Sequence, residues 1–365
     1  MKLFFILFGM ALLISGCSSN LPKEQSGGFH IVQTNFLGCL WDESYARAKI
    51  ISQDGGQSFA VPGGGLWAFG DTFKGTRNAD MSPNYSGGAV SCSIAFLGRD
   101  ARRYPPALNY LVSSNSSVIS PFEYFTNEPS QNHRLWPMGG IYLNGQYYLF
   151  YSLIEIFGTG SWDFRSIGTG LARSSVALGP YQRLQPLGNW RFPVAPSCVI
   201  EANGWLYLYE VKEFDGKSGT ALARVRPEKI EDPSAYEFYT GPGPKFSRRK
   251  ANAAAVALNT PGQVSVAWND YLQKYVMASS SDFYHPRQIR FLAADAPYGP
   301  WSQPVAVIEV PEVRQGKHAD LVYCTYFHSE LFQDGGRVMN LSYSLGLKDA
   351  GFDANCEMAE IRIEP

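Results

Sequence analysis

Charge is scarce in this chain of 365 residues. Asp, Glu, Lys and Arg make up 17% of it, and the net charge is −1 with His counted neutral. That excludes the basic stripe of a nucleic-acid binder, and no nucleic acid is expected as a partner. The five His (His30, His133, His285, His318 and His328) are isolated and make no metal-ligand spacing, so no metal is expected. No two of the six Cys form a C-x-x-C pair, which argues against a zinc ribbon or a thioredoxin-type site. Also absent are a G-x-G-x-x-G loop between strand and helix, a Walker A loop, H-E-x-x-H and G-x-S-x-G. No cofactor is expected. No amphipathic stretch of twelve or more residues reads as a helix.

What is abundant points one way. Aromatic residues make up 14% of the chain, beside 36 Gly and 23 Pro. Strand formers and turn formers in this mixture indicate an all-β protein with many tight turns.

The first 28 residues read as an address. Lys2 supplies a positive start, and the apolar run from Leu3 to Ile14 covers twelve positions, short of the about 20 that span a bilayer. Leu13-Ile14-Ser15-Gly16-Cys17 resembles a bacterial lipobox. A lipoprotein signal peptide over residues 1–16 is expected, with Cys17 acylated and a polar tether over 17–28. The lipid would hold the protein to a membrane of the bacterial cell envelope. Ser18 and Ser19 after the Cys resemble sorting to the outer membrane. The other five Cys are expected to be mostly buried small hydrophobes.

From residue 29 to 365 no linker interrupts the chain. A Gly- or Asn-containing turn followed by an aromatic strand recurs along it. It is seen at Gly63-Gly64-Gly65-Leu66-Trp67-Ala68-Phe69, at Asn144-Gly145-Gln146-Tyr147-Tyr148 and at Asn203-Gly204-Trp205-Leu206-Tyr207. A looser copy holds Tyr275, and the last is Gly335-Gly336-Arg337-Val338. Marked by Leu66, Tyr147, Leu206, Tyr275 and Val338, the repeats lie about 60 to 80 residues apart. Such a unit holds four short strands and their loops, one propeller blade. A two-domain sandwich would want a linker, and a β-helix a much shorter period. The expectation is a single five-bladed β-propeller, whose site residues are scattered along the sequence.

Two carboxylates stand out. The Pro-Gly-rich stretch at Pro62 to Gly65 is a turn between two strand-like runs. If the hairpin is centred there, Gly56 faces Asp71 and Asp54 lies two residues further along the same end. Paired acids at this spacing suit glycoside hydrolysis, one protonated and one ionised. Two plainer readings stand beside this. Ser52-x-Asp54-x-Gly56-x-Ser58-Phe59 also fits an Asp box, where the Asp stabilises a turn far from any active site, and Asp71 could cap a strand end. Glu210, after Leu206-Tyr207-Leu208-Tyr209, is a candidate third carboxylate, and Asp42 is another acid near a strand end. Trp136 and Trp268, with Tyr85 and Tyr323, are candidate stacking surfaces for sugars.

Asp54-Gly55-Gly56-Gln57-Ser58 followed by Leu66-Trp67-Ala68-Phe69-Gly70-Asp71-Thr72 resembles the opening of propeller proteins grouped as domain of unknown function 4185. Leu135-Trp136-Pro137-Met138-Gly139-Gly140, Leu171-Ala172-Arg173-Ser174 and Tyr298-Gly299-Pro300-Trp301-Ser302 continue the resemblance. Some members of that group are endo-D-arabinanases of glycoside hydrolase family 183. The resemblance implies a five-bladed propeller that cleaves D-arabinofuranosyl links with inversion, using Asp54 and Asp71. Glu210 is added as a catalytic candidate, and Trp136, Arg173, Trp268 and Asp42 as substrate-binding ones. The competing expectation is a non-catalytic glycan-binding or scaffold lipoprotein.

Overall fold

The computed structural model describes residues 28–40, 43–78, 83–99, 104–160, 162–184, 192–280, 287–314, 317–347 and 354–365. The signal peptide, Cys17, nearly all of the tether and Asp42 lie outside them. The described chain is a five-bladed β-propeller.

Each blade is an antiparallel meander counted from its innermost strand. Blade I runs Ile50–Val61, Gly64–Lys74, Ser93–Gly98 and Leu108–Tyr110. Blade II runs His133–Leu143, Gln146–Ile156, Phe164–Ser174 and Gln182–Arg183. Blade III begins Cys198–Ala202, Trp205–Phe214, Lys217–Val225 and Glu237–Gly241, and carries two extra short strands. Blade IV runs Val264–Asn269, Lys274–Ser280, Gln288–Ala294 and Ala306–Glu309. Blade V takes Lys317–Phe327, Val338–Leu347 and Ala354–Glu364 from the end of the chain, and its outer strand, His30–Cys39, from the beginning. That pairing ties the two ends of the chain together and closes the ring.

The continuous apolar runs follow from this architecture. Both faces of a blade are covered by its neighbours, so a strand buries successive side chains in opposite directions. Leu66 and Ala68 pack toward blade II, whereas Trp67 and Phe69 pack toward blade V. Leu206 and Leu208 face blade II, and Tyr207 and Tyr209 face blade IV. Each of the five apolar clusters fills one seam between blades.

Polar contacts stitch the innermost strands around the axis. Gln57 Nε2 donates to the carbonyls of Pro137 (2.8 Å) and Met138 (3.2 Å). The Gly139 N–H donates to Pro196 (2.6 Å), Ser197 Oγ to Val264 (2.8 Å), and the Phe327 N–H to Ser265 Oγ (3.0 Å). The Gly55 N–H reaches Ser344 Oγ (2.9 Å) and joins blade I to blade V. Among the described residues all five Cys are free thiols, and no helix is long and apolar enough to cross a membrane.

Candidate functional site

The end of the ring where the innermost strands start is here the upper end. Asp54 and Asp71 meet there, though not in the expected register. Val61 pairs with Gly64, so the turn is the two residues Pro62 and Gly63. Gln53 pairs with Thr72 and Gly55 with Phe69, with a bulge between. Asp54 therefore lies across from Gly70 and Asp71, and Gly56 does not face Asp71. The left-handed φ of Gly55 (81°) and Gly56 (97°) allows this double irregularity. It also removes the turn reading of Asp54, which lies within a strand.

The bulge turns Asp54 onto its neighbour. A Cβ at position 70 would stand 2.4 Å from Asp54 Oδ1, so only Gly leaves room for the carboxyl group. The backbone N–H of Asp71 donates to that carboxyl. Each acid has one further donor: Tyr323 Oη donates to Asp54 Oδ2 (2.9 Å), and Trp136 Nε1 donates to Asp71 Oδ1 (3.1 Å). Both acids prefer to hold a proton more than free carboxyls do. Burial, reinforced by the charge of Asp71, raises Asp54 to about 7. Burial raises Asp71 to about 6, against the Trp136 hydrogen bond and the positive charge of Arg134. The pair titrates as a unit, and around pH 6 to 7 it carries about one proton. Such a pair can give a proton on one side and take one on the other.

The other sequence candidates fall in three places. Trp136 joins the pair through its indole N–H. Glu210 lies at the upper end, one residue beyond the level where blade III's innermost strand starts. Its oxygens are engaged, by the Ala195 N–H (3.2 Å) and by Lys212 Nζ (3.0 Å), and no described contact joins it to the pair.

Arg173 and Trp268 lie apart from the pair. Trp136 is level with Ser152 and Thr169, and Arg173 is four residues past Thr169, roughly 13 Å along the strand at 3.3 Å per residue. There it pairs with Glu231 at 2.7 Å. Ser265 is level with Phe327, four residues past Tyr323, and Trp268 lies three residues further down, with Nε1 on Asp270 (2.7 Å). The rise along each strand carries both residues to the lower end, away from the acids.

Tyr323, proposed from the sequence as a stacking ring, is instead a hydrogen-bond donor to Asp54. Arg134 was missed, although it directly precedes Leu135-Trp136 in the sequence. Among the described residues no group of three or more His, Cys, Asp and Glu side chains is placed to hold a metal ion.

The fold has solved relatives. A crystal structure described as a "putative hydrolase" from Bacteroides ovatus ATCC 8483 superposes with a TM-score of 0.66 at 18% identity, covering 88% of this chain and 89% of that one. A family 117 glycoside hydrolase from Zobellia galactanivorans follows at a TM-score of 0.48 and 11% identity, over 92% and 90% of the two chains. A GH43_1 enzyme from Xanthomonas citri, complexed with xylotriose, also gives 0.48, at 14% identity over 87% and 92%. No curated protein matches the sequence. One family model does, over residues 41–345, and the chain belongs to that family, described as Domain of unknown function (DUF4185).

Proposed function

We propose that this protein is a glycoside hydrolase acting on furanosidic, D-arabinan-like glycans by single displacement with inversion. The observation that carries the reading is the Asp54–Asp71 pair: two buried acids of unequal proton affinity, coupled by charge, at the upper end of the propeller. Asp54 holds its proton more tightly and serves as the acid, donating to the glycosidic oxygen as the bond to the anomeric carbon breaks. Asp71 is the more readily ionised and serves as the base, taking a proton from the attacking water. Tyr323 fixes the Asp54 carboxyl, and Trp136 orients Asp71 while offering an apolar wall to the sugar. The arabinan class rests on the ordered motifs that resemble family 183 endo-D-arabinanases.

The pH–rate profile of kcat/KM should be bell-shaped. Activity rises as Asp71 ionises near pH 6 and falls as Asp54 loses its proton near pH 7. The deciding experiment measures reducing-end release from D-arabinan and from a panel of other furanosidic and pyranosidic glycans. Product anomers would be read by NMR before mutarotation. Release with inversion that disappears in Asp71→Asn supports the reading. No release from any glycan by the wild type sinks it.

A further inference from the structure

Two large aromatic side chains stand mostly in water at the upper end. Phe157 is 62% exposed and Trp162 57%. They flank the tip of the hairpin joining the second and third strands of blade II. That tip is held by its own hydrogen bonds. The Phe157 N–H donates to the Asp163 carbonyl (3.0 Å), and the Asp163 N–H to that of Gly160 (3.0 Å). Asp163 Oδ2 accepts the Gly160 N–H (2.7 Å). A Cβ at position 158 would lie 2.2 Å from the same carboxylate, so Gly158 is required for this closure. Just below, Glu155 and Arg165 form an ion pair at 2.5 Å. The described residues of this hairpin thus display bare apolar rings that water disfavours.

The rings continue inward. Trp162 lies 6.1 Å from Phe164 between centroids, and Phe164 lies 4.9 Å from Trp136. Trp136 in turn bonds Asp71. This row runs without a gap from the solvent edge of blade II to the acid pair.

We propose that Trp162 and Phe157 form a distal stacking platform for the sugar rings of a glycan chain whose scissile bond lies at Asp54 and Asp71. The inference deepens the hydrolase reading and rests on it, and it commits the site to chains of several sugars. A sugar ring has an apolar face of C–H groups and a polar hydroxyl edge. A half-exposed flat aromatic ring covers the first and leaves the second in water. Continuity with the acids selects a glycan chain over a protein or lipid occupant, because a linear substrate reaches both ends of the row.

The test compares wild type, Trp162→Ala and Phe157→Ala on D-arabinan oligosaccharides of increasing length and on the polymer. Trp162→Ala should lose about tenfold in kcat/KM on the polymer, the size of one lost aromatic contact, and progressively less as the chain shortens. Phe157→Ala should follow the same trend more weakly. A loss that is equal at every length, or none, overturns the platform while leaving the hydrolase reading intact. If wild type cleaves nothing, the hydrolase reading falls and affinity electrophoresis in gels cast with D-arabinan decides the platform. Retardation of wild type that Trp162→Ala abolishes upholds it, and equal migration overturns it. Trp162-dependent binding to phosphatidylglycerol vesicles without any glycan effect also overturns it, in favour of a lipid surface.

Discussion

The two ends of the ring each contain carboxyl groups whose proton affinity burial has raised, and they are built very differently. At the upper end two acids are coupled by charge, each has a hydrogen-bond donor, and Arg134 biases one of them. At the lower end Glu330 is raised to about 7 by burial, which Ser58 and Trp67 offset only in part. Its neighbour His328, 3.9 Å away, is pushed down to about 3 by burial and stays neutral. The imidazole is stacked on Trp67 at 3.9 Å and bonded to Ser58 Oγ at 2.7 Å. A crevice of about 360 Å³ between blades I and V opens beside Glu330, lined by Leu97, Tyr104, Leu331 and Phe332 among others. Raised proton affinity is thus found at both ends and does not by itself choose between them. The upper end differs in having a second acid that is coupled to the first by charge.

The largest effects should separate the ends in turnover. Asp54→Asn and Asp71→Asn should each reduce reducing-end release by about 10²- to 10⁴-fold, the range of general acid–base catalysis. Glu330→Gln should leave release unchanged. Comparable losses in all three variants would show that the two ends work as one site.

Stability should respond alike at the two ends. Glu330 has a folded value of about 7 against an ordinary 4.5, so the folded state holds the extra proton between those limits. Its contribution is fully present below pH 4.5 and is lost as pH rises through 7, by about 3 kcal/mol. Urea unfolding between pH 4 and 8.5 should show that decline in wild type and a flatter curve for Glu330→Gln. Asp54 and Asp71 are shifted the same way, so Asp54→Asn should also gain stability at neutral pH. At the upper end that gain accompanies lost turnover. At the lower end it does not. A wild-type curve that stays level between pH 4.5 and 7 would remove the buried Glu330 from the picture.

Much of the ring was legible because blades repeat. Each of the five marker residues, Leu66, Tyr147, Leu206, Tyr275 and Val338, falls in the second strand of its blade. Two buried faces produce the same aromatic run at each turn of the chain. The closure was not legible, because His30–Cys39 pairs with a strand more than 300 residues away and has no turn signal to announce it. Asp54 and Asp71 could be placed together because a hairpin is local. Their register missed by two because the turn is only Pro62 and Gly63, not the whole Pro-Gly stretch to Gly65, and the bulges at Gly55 and Gly56 depend on φ angles that a residue count does not record. Tyr323 and Trp136 reach the acids across seams between blades, and the binding roles given to Arg173 and Trp268 assumed an end of the strand that composition does not specify.

A smaller effect is expected at Tyr323. Its hydroxyl bond favours ionised Asp54, so Tyr323→Phe should raise the alkaline limb of the pH–rate profile by about one unit, the worth of one hydrogen bond to a charged group. A structural role alone would lower the rate without moving that limb.

The smallest effects bear on which end receives substrate. Arg173 and Trp268 lie on the lower side of their blades, and their polar groups are engaged by Glu231 and Asp270. Arg173 is 39% exposed in a surface ion pair, worth at most about 1 kcal/mol, so Arg173→Ala should scarcely change stability. Neither Arg173→Ala nor Trp268→Ala should alter KM or kcat, because a chain seated on the row from Trp162 to Trp136 does not cross the channel to reach them. A rise in KM for Trp268→Ala would mean that the substrate threads the ring, and the contrast between the two ends would have to be redrawn as two halves of one binding path.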